Sequence, residues 1–164
     1  MATTTSGTAR VSLPADNQIL ITREFNAPRA LVWKAYTTPD LVKRWWAGQR
    51  GSVTSAEIDL RVGGSWRYVM DAGGGFEVAF RGVYREIDAP ARLVNTEVFE
   101  GLPDPDEHTG LVTVTFTEKD GRTYMEMLCE YKDTADRDAV VASGMEGGMQ
   151  ESMDQLEIVA DSLS

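Results

Sequence analysis

Apolar residues recur through the last part of the chain at Met145, Met149, Met153, Leu156, Ala160 and Leu163, in steps of four, four, three, four and three. An α-helix turns once every 3.6 residues, so this spacing sets all six on one face of a helix over 136–163. Glu146, Gln150, Glu151, Asp154, Glu157 and Asp161 fall on the other face. The helix is amphipathic and one side of it needs a cover. Between residues 51 and 133 the period drops to two, the signature of strands with one buried face. The strands expected there are 53–60, 65–70, 76–87, 92–99, 111–117 and 124–131. They are separated by Gly63-Gly64, Gly73-Gly74-Gly75, Pro90, the acidic loop 101–110 and Lys119-Asp120-Gly121. Hairpin-length connections imply antiparallel pairing.

Ahead of this region, 19–25 alternates as a strand in which Arg23 shares the apolar side, at the strand's end or paired. Pro28 opens a helix over 28–37, and Thr38-Pro39-Asp40 opens a second, with Thr38 as N-cap and Pro39 in the first turn. Of the neighbouring tryptophans, Trp45 is expected inward and Trp46 at the rim. The class is α+β: a curved antiparallel sheet of about seven strands wrapped around a long C-terminal helix, with two short helices after the first strand. Residues 1–17, rich in Thr, Ser and Ala, read as a flexible arm, and 18–164 as one helix-grip ligand-binding domain.

In the strands, parity proposes the inward residues. Trp66, Tyr68 and Met70 share a face, Phe76, Val78 and Phe80 begin the next strand inward, and Gly82 is a candidate bulge that swaps faces. Large apolar walls with a few polar anchors make a binding pocket. The candidate walls are Trp45, Trp66, Tyr68, Phe80, Tyr84, Phe99, Phe116 and Met127, with Met145, Met149 and Met153 from the helix. Methionine adapts to irregular guests, and a solid core is the alternative. Glu97, with Asn95, shares a face with Leu93 and Phe99. Inside a cavity its pKa would rise, making it the one candidate acid or base, or the anchor for a guest's amine or hydroxyl. If Val94, Thr96 and Val98 face inward instead, Glu97 is simply solvated. Gly144, Gly147 and Gly148 either loosen a cavity mouth or mark a close approach or a late helix start. Asp59 with Arg61, and Glu86 with Arg92, read as surface ion pairs.

The net charge of −10 argues against a nucleic acid or an anionic membrane as partner. No run approaches the ~20 apolar residues of a membrane span. One cysteine, Cys129, and one histidine, His108, leave no intrachain disulfide and make a zinc site or a Ser-His-Asp triad hard to assemble. The glycine runs lack the Gly-Lys-Ser/Thr of a phosphate loop. No metal and no cofactor is expected, and the cytoplasm is the default compartment.

Four blocks carry a resemblance. They are Arg23-Glu24-Phe25-Asn26-Ala27-Pro28 with Val32-Trp33, Thr38-Pro39-Asp40 and Arg44-Trp45-Trp46; Asp59-Leu60-Arg61-Val62-Gly63-Gly64-Ser65-Trp66-Arg67; Gly82-Val83-Tyr84-Arg85-Glu86 with Pro90-Ala91-Arg92-Leu93-Val94; and Gly144-Met145-Glu146 with Gly148-Met149 and Leu156. Over about residues 18–163 the chain resembles bacterial single-domain homologues of the heat-shock-protein-90 ATPase activator, within the START/Bet v 1-like (SRPBCC) superfamily. The resemblance implies the helix-grip fold and a cavity between sheet and helix. The superfamily includes lipid carriers, hormone and pigment binders, polyketide cyclases and chaperone cofactors, so fold does not select a function. Met149 stands where the family commonly has tryptophan, and the chain has no room for the separate chaperone-binding domain of the two-domain activators. Three functions are therefore carried forward: binding of a small apolar or amphipathic molecule, a cyclase- or hydratase-type enzyme acting in the same cavity, and a chaperone-cofactor or stress-response role through protein contacts. A monomer or homodimer is expected.

Overall fold

The period-two segments pair as one sheet. The structure, a computed structural model, describes residues 9–164. In chain order the elements are β1 (Arg10–Ser12), β2 (Gln18–Phe25), α1 (Arg29–Thr37), α2 (Pro39–Trp45), β3 (Ser52–Ile58), β4 (Ser65–Asp71), β5 (Glu77–Asp88), β6 (Arg92–Phe99), β7 (Gly110–Lys119), β8 (Arg122–Glu130), α3 (Thr134–Ala142) and α4 (Met145–Asp161). Among the described residues the strands run β1-β2-β8-β7-β6-β5-β4-β3, and every neighbour pair is antiparallel. From β3 onward each strand pairs with the next in sequence, and β2 closes on β8, bringing the first long strand beside the last. Helices α1, α2 and α4 cover the concave side in a helix grip, and Val32, Ala35, Val42, Leu156 and Ala160 are fully enclosed there.

Four expectations are corrected. The arm expected over 1–17 is already sheet from Arg10: Val11 lies opposite Ile21 in β1, and Ala9 is buried. Its N–H donates to Gln150 Oε1 at 3.0 Å and its carbonyl accepts from Gln150 Nε2 at 2.6 Å. The polar-apolar-polar step Arg10-Val11-Ser12 is enough for a short edge strand, which is why the sheet has eight strands rather than seven. Residues 1–8 of that expectation lie outside the described residues.

The single helix expected over 136–163 is two helices. Gly144, at φ +81°, breaks the backbone between α3 and α4 in the left-handed region that glycine adopts without strain. The late-start reading of that glycine therefore holds. Gly147 is a close approach: a Cβ there would lie 2.6 Å from the Arg50 guanidinium.

Phe76, expected inward, is 68% exposed, because it belongs to the hairpin around Gly73, Gly74 and Gly75 rather than to β5. The exchange of faces expected at Gly82 occurs three residues later, where the register shifts between Tyr84 and Glu86. Gly82 has a different task. A Cβ there would collide with the Thr96 carbonyl and come within 2.5 Å of Trp66 Nε1, so glycine lets the Trp66 indole reach Thr96 across the sheet.

Arg23 is paired, and deeply. It is 2% exposed in the middle of the apolar face of β2. Its guanidinium reaches Asp154 Oδ1 at 2.6 Å and Glu157 Oε1 at 3.4 Å on α4, and lies 5.3 Å from the Phe25 ring centroid. Glu157 Oε2 also accepts from the Asn26 N–H at 2.5 Å. Removing one partner of a buried pair leaves the other charge desolvated. Arg23→Ala is therefore expected to lower the unfolding free energy by about 3–5 kcal/mol, read from urea midpoints. The double variant Arg23→Met/Glu157→Gln is expected to recover a large part of that loss.

Candidate functional site

The helix grip does not close completely. Between the concave sheet face and the α3–α4 segment lies a cavity of about 770 Å³, within the usual range for small-molecule sites. Strands β4, β5 and β6 set alternate residues on the inner face, and these form its far wall: Trp66, Tyr68 and Met70; Val78, Phe80 and Tyr84; Leu93, Asn95, Glu97 and Phe99. Met127, Cys129 and Tyr131 continue the wall from β8, and Met145, Met149 and Met153 form the roof from α4. Trp45 closes the inner end, where its Nε1–H donates to the Ala35 carbonyl at 2.9 Å. Of the sequence-proposed wall residues, Phe116 is the one that the cavity does not include. It is 1% exposed and packs edge-on against Trp33 and Tyr36, beneath α1 rather than beneath the void.

Sequence reasoning missed several lining groups. Trp46, expected at the rim, turns into the cavity and meets Tyr68 and Phe80 edge-on at 5.4 and 5.5 Å. Tyr36 stacks on Trp45 at 5.5 Å and reaches the void from α1. Cys129 and Tyr131 share parity with Met127, and that alternation was the signal available for them. At the mouth, His108 from the loop after β6 and Asp136 from α3 share a hydrogen bond of 2.9 Å, a contact no local pattern announces.

Glu97 points into the cavity, with Leu93, Asn95 and Phe99 on the same face of β6. The alternative parity fails because Leu93 and Phe99 both take the inner side. The carboxyl is half-buried: the surface it retains faces the void, not bulk water. Asn95 Nδ2 donates to the Thr96 carbonyl at 3.0 Å, and Trp66 Nε1 donates to the same oxygen at 3.2 Å. These bonds hold the wall residues in place while leaving the Glu97 carboxyl open.

With this geometry in place, comparison with known families gives one decisive match. The family described as Activator of Hsp90 ATPase homolog 1-like protein matches residues 26–161. The chain belongs to this family. Solved structures agree on the fold. A Rhodobacter sphaeroides protein superposes with a TM-score of 0.86 at 24% identity, over 95% of this chain and 99% of that one. Protein Ms6760 of Mycobacterium smegmatis does so with a TM-score of 0.83 at 25% identity, over 93% and 96%. An AHSA1-like protein of Aeromonas hydrophila gives 0.66 at 25% identity, over 88% and 93%. Comparison with curated proteins gives no match. Among the described residues no helix is long and apolar enough to cross a membrane.

In this family member the cavity is electrostatically simple. Burial raises the Tyr36, Tyr68, Tyr84 and Tyr131 hydroxyls far above their ordinary range, and for Tyr36, Tyr68 and Tyr131 the nearby Glu97 charge adds to it. Burial, then Glu97, pushes the Cys129 thiol up to about 12. Glu97 itself is raised by desolvation to about 7. The folded chain therefore holds a proton that the unfolded chain releases between the ordinary carboxylate range, ~4.3, and about 7. Stability contributed by this group is present at low pH and falls as pH rises through that window. Glu97→Gln is expected to gain stability over the parent chain at pH 8 relative to pH 5, by at most about 3 kcal/mol. Urea unfolding of both chains at the two pH values checks this, and an equal difference at both would contradict it.

Proposed function

We propose that the protein binds a small apolar or amphipathic molecule in the cavity between its sheet and α4. The observation that carries this reading is the partly open cavity of about 770 Å³ walled by aromatic rings and methionines, with the Glu97 carboxyl on its sheet wall. A void of that size in a core forgoes the dispersion contacts that close packing supplies. A guest that fills it restores them. Rings tethered to backbone carbonyls give one wall a fixed shape, and Met145, Met149 and Met153 give the opposite wall an adaptable one. The family match supports the fold in which such a cavity forms.

A second reading is acid–base chemistry on a guest held in the same place, of the cyclase or hydratase type. It is favoured by one observation, that Glu97 lines the cavity where burial raises its pKa to about 7, the range in which a general acid or base works best. A chaperone partner is a proposal that rests on the family's name.

The binding reading is tested with N-phenyl-1-naphthylamine, a neutral apolar probe whose fluorescence rises out of water. The full chain is expected to bind it saturably with a micromolar Kd. Met149→Trp, which sets a bulky ring into the roof, is expected to weaken it about tenfold or more, the cost of losing roughly 1.4 kcal/mol of contact. Absence of saturable binding by the parent chain would defeat the reading.

A further inference from the structure

We propose that the guest is a lipophilic organic cation, an apolar skeleton bearing a protonated amine that the Glu97 carboxylate receives. This rests on the reading that the cavity takes a small molecule, and adds which head group it selects.

The argument begins with what Glu97 lacks. Among the described residues none donates a hydrogen bond to its carboxyl and none forms an ion pair with it. Three nitrogen donors of the wall are committed elsewhere: Asn95 and Trp66 to the Thr96 carbonyl, and Trp45 to the Ala35 carbonyl. The groups whose charge state Glu97 influences are Tyr36 from α1, Tyr68 from β4, Cys129 from β8 and Tyr131 just after it, with Tyr84 of β5 in the same lining. All are neutral at physiological pH. The basic residues lining the cavity, Arg50 and His108, stand at its mouth and are engaged by Glu151 and Asp136. Asp104 and Asp136 add acidic groups there.

An ionised carboxylate is acceptor-only, so the missing partner is a donor. Three donor classes compete. A carboxylic acid guest would bring a second carboxyl beside the first, and the two cannot both ionise. An alcohol offers one neutral hydrogen bond. An ammonium offers three N–H groups and the opposite charge, and charge-assisted bonds are roughly twice as strong as neutral ones. The fold has already desolvated the carboxylate in part, which lowers what its own dehydration costs on binding. Trp46, Trp66, Tyr68 and Tyr84 line the same space, and a cation over an aromatic ring is favoured further. The net charge of −10 biases the surrounding solution the same way.

The test uses three probes with one apolar tail, decylamine, decanol and decanoate, as competitors of bound N-phenyl-1-naphthylamine on the full chain at pH 8. There the Glu97 carboxyl, raised to about 7, is largely ionised. Decylamine is expected to displace the dye at a concentration about tenfold or more below decanol, with decanoate weakest. In Glu97→Gln the advantage of decylamine over decanol is expected to shrink to within about threefold. Equal displacement by decylamine and decanol in the parent chain overturns the cation proposal and leaves the binding reading standing. An amine preference that survives Glu97→Gln also overturns it, since the anchor would be another group. A dye that does not bind defeats the binding reading, and this proposal with it.

Discussion

One buried arginine decides how the terminal helix meets the sheet. Arg23 rises from β2 between Asp154 and Glu157, three residues apart on one face of α4, so only one turn of the helix can sit opposite it. A buried ion pair is poor evidence of stability, because desolvation offsets much of its attraction. Its consequence here is positional. Met153, Leu156, Val159 and Ala160, which flank the pair, are all nearly inaccessible. The helix is thereby seated firmly at its C-terminal half. Toward its start, Met145 and Met149 are only half-buried, and opposite them the sheet falls away into the cavity. The hollow follows from seating a straight element at one end of a curved surface.

The two sides of that hollow differ in kind. On the wall formed by the sheet and the end of α2, Trp66 and Trp45 are each held by a hydrogen bond from the ring to a backbone carbonyl, and Trp46 meets Tyr68 and Phe80 edge to face. Such a wall is organised before any guest arrives, which limits the ordering cost of binding. The helix side is made of thioethers with three rotatable bonds each. At the mouth, α3 has no fully buried residue, and Gly144 separates it from α4.

Much of this was legible in the chain because period and parity are local properties. The alternation in β6 left Glu97 open, because Val94 and Val98 on the other face are also apolar and also buried, and only the cavity's position decides it. The same rule overreached at Phe116. Parity states which face a residue takes, not what lies above it, and at that point along β7 the cover is α1 rather than empty space. Phe76 failed for a different reason: the hairpin at Gly73–Gly75 needs one more residue than the glycines themselves, and Phe76 supplies it. The break at Gly144 was hidden because the apolar period of α4 starts immediately after it. Contacts such as His108 with Asp136, or Gln150 with Ala9, join residues far apart in sequence and leave no trace in any window of it.

Binding and catalysis make different demands on the groups around Glu97. A proton-transfer enzyme of the cyclase or hydratase kind needs a second group to complement its acid or base, or a nucleophile poised to react. The tyrosine hydroxyls here are too weakly acidic to give up protons near neutrality, and Cys129, with its thiol pushed up to about 12, is not a thiolate. The other titratable pair in the lining, His108 with Asp136, stands at the mouth, and acid–base chemistry would need it to complement Glu97. As an anchor Glu97 needs no such companion. A carboxyl kept near its titration midpoint is held there by its surroundings at a free-energy cost, and a guest that supplies the absent donor removes that cost on entry.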